Sequence, residues 1–155
     1  MKTTATVTVN RIDTFVKEYL NEEGKKKSYV TVTLHLNEKI PGFTKDKVTG
    51  DKTKTEVQSI SVLKNLLLDG LSNDDTFADF RFSREKGVQD GALRSLLRGA
   101  TLTIEQEEIA KDEPYMENGV EKVAIEPKML NSVIGVIFEK KAIDTMEKYI
   151  DASFS

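Results

Sequence analysis

The sequence predicts a mainly β protein. Five strands close into a small Greek-key barrel, with a short helix before the fourth strand, an inserted segment and a C-terminal helix. Three observations predict it. Small and β-branched residues alternate at period two in "TTATVTV" (3–9), "SYVTVTLHL" (28–36) and "TEVQSISVL" (55–63), as half-buried strands require. "ALRSLLRG" (92–99) spaces its leucines for a helix and runs into the alternating "ATLTIEQEEI" (100–109). "EKKAIDTMEKYIDASF" (139–154) sets Ala142, Ile143, Met146 and Ile150 on one helical face.

In the first strand Ala5, Val7 and Val9 share a face, and the phase slips around 10–14 as a bulge would make it. "LNEEGKKK" (20–27) is a turn carrying Lys25, Lys26 and Lys27. In the second strand Val30, Val32, Leu34 and Leu36 face one side; Tyr29, Thr31, Thr33 and His35 face the other. "KIPGFTKDKVTGDKTK" (39–54) reads as a mobile loop bearing Lys45, Lys47, Lys52 and Lys54. The third strand, 55–63, enters a short helix, 63–71, that Gly70 ends.

Residues 72–75 are a loop or cap. "TFADFRFS" (76–83) alternates as an extra strand, with Phe77, Asp79 and Arg81 opposite Ala78, Phe80 and Phe82. The helix at 90–99 stops at Gly99. Strands at 100–110 and 120–126 flank a polar hairpin, and "SVIGVIF" (132–138) continues the last strand past a break near Pro127. A helix before the fourth of five strands matches an oligonucleotide-binding (OB) barrel; an α+β sandwich gives similar periodicities. The domain spans 1–138, with an insert at 63–89, and 139–155 forms a terminal helix and tail.

Composition narrows the function. There is no cysteine, which excludes disulfides, thiolate metal sites and cysteine nucleophiles and suits a reducing cytoplasm. No apolar run of about 18 residues encodes a membrane span. Net charge is −3, but residues 1–100 hold 17 basic and 14 acidic side chains, and residues 101–155 hold 6 and 12. Phosphate binding needs only a local basic groove. His35 is the only histidine, and phosphate-loop, dinucleotide and nucleophile-elbow strings are absent. The chain reads as non-enzymatic, with no metal and no cofactor.

Several strings, taken in order, resemble the bacterial single-stranded DNA-binding protein family. They are "SYVTVTLHLNE" (28–38), "GDKTKTEVQSISV" (50–62), "ALRSLLRGATLTIEQEEI" (92–109) and "KDEPYMENGVEKVAIEP" (111–127), and the likeness covers about 1–62 and 90–127. It implies an OB barrel that coats single-stranded DNA, with RNA as a second candidate, and that forms homo-oligomers in the cytoplasm. It implies base stacking on Tyr19, Phe43 and Tyr115, and phosphate contacts from the two lysine loops. Tyr29, Arg81 and Arg84 extend that surface. Val57 replaces an aromatic of the pattern, residues 63–89 have no counterpart, and the chain ends "IDASFS" without an acidic Pro-Phe tip. That ending points to a plasmid- or phage-type relative in replication, recombination or DNA transfer.

Plainer readings stand beside these. Tyr115 can fold back on its hairpin, Tyr19 and Phe43 can be core lids, and lysine runs are usually solvated faces. The alternative function is an OB-like protein-interaction module; a metal-dependent nuclease is a distant third.

Overall fold

Alternation along residues 2–20 produces a strand long enough to serve two neighbours. In the computed structural model, which describes residues 2–154, β1 (Lys2–Leu20) pairs through its first half with β4 (Thr101–Ile109) and through its second half with β2 (Lys26–Lys45). Met1 and Ser155, the outermost residues of the strand and tail read from sequence, lie outside the described residues. The switch occurs at a register shift between Val9 and Arg11. Val7 and Val9 are buried before it and Ile12 after it. The odd-to-even change of inward residue is what one extra residue in a strand produces. Its N-terminal half, Lys2–Thr8, is paired along one edge by β4.

β3 (Lys52–Leu63) pairs with β2, and β7 (Lys128–Ile137) pairs with β4, giving an antiparallel sheet ordered β3-β2-β1-β4-β7. The sheet is not closed: β3 and β7 are its two edges. β5 (Pro114–Glu117) and β6 (Val120–Val123) form a separate hairpin between β4 and β7. The segment at 120–126 is therefore not the last strand of the main sheet. That role belongs to β7, a distinct strand rather than a continuation.

Helices α1 (Lys64–Leu71), α2 (Asp75–Phe82) and α3 (Asp90–Leu97) fill the link from β3 to β4, and α4 (Lys140–Phe154) ends the chain. Val32, Leu34, Leu102 and Ile104 from the sheet meet Leu67, Phe77, Leu93 and Met146 from the four helices in one core. The segment 63–89 is thus part of that core.

The extra strand expected at 76–83 is helix α2. The Asp74 carboxylate accepts a hydrogen bond from the Phe77 amide at 3.0 Å and caps the helix, with Asp75 in its first turn. Phe77 and Phe80, three apart, bury on one helical face, while Phe82 is 89% exposed. A strand would have put Phe80 and Phe82 on the same side.

The mobile loop expected at 39–54 is mostly ribbon. Pairing runs from Ile40 opposite Val57 to Lys45 opposite Lys52, leaving a turn at 46–51. The Asp46 carboxylate builds that turn by accepting from the Val48 and Thr49 amides at 2.7 and 2.9 Å. Gly70 does not end α1; it lies inside it. A Cβ there would collide with the carbonyl oxygen of Val133, so glycine is what lets α1 lie against edge strand β7. Just beyond α1, the Asn73 amide donates to the Ile134 carbonyl at 2.8 Å, covering part of that edge.

Candidate nucleic-acid interface

The turn between β1 and β2 fixes which side chains meet. The Asn21 side-chain oxygen accepts from the Glu23 and Lys25 amides at 3.0 and 2.8 Å, and Gly24 supplies a φ of 75°. The register it sets places Lys17 opposite Tyr29 and Tyr19 opposite Lys27. Directly opposed residues share a face, as do residues two apart. Phe15, Lys17 and Tyr19 therefore share a face with Lys27, Tyr29 and Thr31. The Tyr19 and Tyr29 ring centroids are 5.8 Å apart with planes at 54°. Tyr19 is 50% exposed and Tyr29 43%. The Lys17 ammonium lies 5.8 Å from the Phe15 ring centroid.

Further along this face the Asp13 carboxylate meets His35 Nε2 and the Arg11 guanidinium, each at 2.8 Å. The hydrogen bond from His35, helped by Arg11, holds the Asp13 carboxyl below its ordinary range. His35 is thus a tethered residue, hydrogen-bonded to the carboxylate that also pairs with Arg11.

Tyr19 and Tyr29 border a groove of about 1270 Å³ in the gap between edge strands β3 and β7. Ser61 and Leu63 of β3 and residues 128–134 of β7 line it, α1 contributes Leu66, and the β5–β6 hairpin contributes Met116 and Val120. Leu66, Met116 and Val120 are all more than half exposed. Lys122 and Lys128 add positive charge, and both approach Glu117, at 3.0 and 3.6 Å. Partial burial pushes the Glu117 carboxyl up, but the Lys122 hydrogen bond and the two ammonium charges outweigh it and hold it below the usual range. The same contact raises Lys122 above the ordinary lysine value.

The residues expected to bind nucleic acid divide by place. Tyr19 and Tyr29 come together, and Lys27 stands beside them without a carboxylate partner among the described residues, as does Lys17. Lys26 pairs with Glu18 at 3.0 Å, and Lys25 lies 4.0 Å from Glu23. Phe43, Lys45, Lys47, Lys52 and Lys54 belong to the second ribbon and its turn. Phe43 is half-buried opposite Lys54. Lys52 and Lys54 are bound to Glu126 at 3.2 Å and Glu108 at 2.8 Å. Lys45 and Lys47 have no ion-pair partner among the described residues.

Tyr115 folds back. Its hydroxyl accepts a hydrogen bond from Lys128 at 3.2 Å, and the same ammonium lies 4.8 Å from its ring centroid. Arg81 binds Asp69 and the Ser72 hydroxyl at 2.9 and 3.2 Å, on the groove rim. Arg84 is spent on packing: its guanidinium lies 5.6 Å from the Phe80 ring and 4.5 Å from Tyr149, between α2 and α4. Sequence reasoning missed Phe15, Lys17, Met116, Lys122 and Lys128. Phe15 and Lys17 carried a signal, since both sit at period two from Tyr19.

Protein-family models, curated proteins and solved structures contain no match to this chain. The site therefore rests on its own geometry. No helix among the described residues is long and apolar enough to cross a membrane.

Proposed function

We propose that the chain is a partly open OB-type barrel that binds single-stranded DNA with little sequence preference and no catalytic step. The observation that carries this reading is the exposed Tyr19–Tyr29 pair at the mouth of the groove, flanked by Lys17 and Lys27. A base of any identity offers a face to stack on, and each stack contributes about 1–3 kcal/mol. The ammonium groups follow phosphates, which are one nucleotide apart along an extended strand. OB barrels use the face of their second and third strands, between the first hairpin and the connection from the fourth strand to the fifth. The reading is supported by the groove's borders, which are β2 and β3, the β1–β2 ribbon, and the β5–β6 hairpin that links β4 to β7. In chain order the five main strands run 3-2-1-4-5 across the sheet, so joining its two edges would complete a barrel.

A second reading, a protein-interaction module or self-associating chain, draws support from the reverse of the ribbon. Val16 and Leu20 are 67% and 71% exposed there. Fluorescence anisotropy with labelled oligo(dT) separates the two. Saturable binding that weakens with salt, with a log–log slope of about −2 to −3 for three or four phosphate contacts, is the expected result. A flat titration at low salt with folded protein favours the protein-binding module.

A further inference from the structure

Three strands converge on one buried amide, and one of its partners, Asn131, lines the groove. Gln106 of β4 is only 2% exposed, the one polar side chain that is buried among the described residues. Its nitrogen donates to the Pro41 carbonyl of β2 at 2.8 Å and to Asn131 Oδ1 of β7 at 2.9 Å. Gln106 and Asn131 are also direct cross-strand partners. A carbonyl oxygen can only accept, so Pro41 dictates that the Gln106 nitrogen points its way. The second hydrogen on that nitrogen then requires an acceptor. Asn131 must turn its oxygen toward Gln106 and its nitrogen away.

That nitrogen is open. Asn131 Nδ2 has no protein partner among the described residues, and no side-chain nitrogen or oxygen there is both buried and unpartnered. Asn131 lines the groove, so solvent in the groove is what its two N–H donors face. A buried glutamine thus holds a pair of donors at a fixed orientation beside the space where bases would lie.

We infer that Asn131 reads the edge of one bound base and prefers a base carbonyl, giving thymine an advantage over adenine. The inference rests on the single-stranded DNA reading. Asparagine recognises adenine when its oxygen takes the exocyclic amine while its nitrogen gives to the ring. Here the oxygen is committed to Gln106, so adenine keeps at most a contact to a ring nitrogen while its exocyclic amine meets no acceptor. Thymine offers carbonyl oxygens instead. Neither stacking nor phosphate contacts distinguish these bases in this way.

The test compares oligo(dT) with the same oligonucleotide carrying difluorotoluene, a thymine-shaped base without carbonyl acceptors, and with oligo(dA). Wild-type protein is expected to bind the isostere about fivefold more weakly than oligo(dT), the scale of one hydrogen bond. In Asn131→Ala that difference disappears, and the thymine-over-adenine ratio falls by about the same factor. Gln106→Met keeps Asn131 but frees it to turn, and is expected to lose most of the discrimination as well. Taking ratios between ligands on each protein removes effects common to both. Equal discrimination by wild type and Asn131→Ala overturns the base-reading role and leaves single-strand binding intact. An absence of binding to any of the three oligonucleotides overturns both.

Discussion

Changing Tyr19 and Tyr29 together to alanine is expected to weaken binding to oligo(dT) by about thirtyfold or more. Two lost stacks at about 1–3 kcal/mol each set that scale. Each single substitution contributes a share. Both rings are half exposed, so folding stability loses little beyond their mutual contact, about 0.5–1.5 kcal/mol. Affinity and stability therefore separate in this variant, and anisotropy beside thermal unfolding reads both. Tyr115→Ala is the internal comparison. Lys128 already occupies the Tyr115 ring and hydroxyl, so a base must displace it, and a smaller loss follows. An unchanged affinity in the double variant removes the tyrosine pair from the mechanism.

Phe77→Ala is expected to destabilise the protein by about 3–5 kcal/mol, in the range of large buried aromatics. Phe77 is fully buried. Its ring stacks on Phe138 at 5.7 Å and 19° and tilts against Phe80 at 6.1 Å. Phe138 follows the last residue of β7, and Phe80 meets Tyr149 of α4. The cavity left by Phe77 thus loosens the joint between the sheet and two helices. Chemical denaturation gives the value. A loss below about 1 kcal/mol, the ordinary surface range, contradicts the placement of α2 in the core.

What could be read from sequence depended on whether one face of an element is dry. β1, β2 and β4 each bury alternate residues, and their period-two patterns named them; the slip read around 10–14 meets the register shift between Val9 and Arg11 at its near end. α2 failed because Phe77, Phe80 and Phe82 satisfy alternation and helical spacing in part, and only the Asp74 cap separates the two. The ribbon at 40–57 failed for the opposite reason. Most of its side chains stay wet, so composition resembled a loop while register and the Asp46 turn made strands. Gly70 was legible as punctuation, yet its reason is a carbonyl on a strand more than sixty residues away.

The site was legible one residue at a time and not as a surface. Tyr19 and Tyr29 lie on either side of a turn, and their contact depends on a register that pairs each with a lysine. Lysine count was a poor guide. Lys52 and Lys54 are neutralised by Glu126 and Glu108 from distant segments, while Lys128, isolated in sequence, sits in the groove. The Gln106–Asn131 relay leaves no local trace at all, because it links residues on separate strands.

Photo-crosslinking a halogenated-uracil oligonucleotide to the protein, followed by mapping of the adducts, places the bound bases directly. The account predicts adducts on Tyr19, Tyr29 or Phe15 of the ribbon and on Met116 across the groove. Adducts confined to the helical layer around Arg84 and Tyr149, under conditions where the oligonucleotide is bound, contradict it.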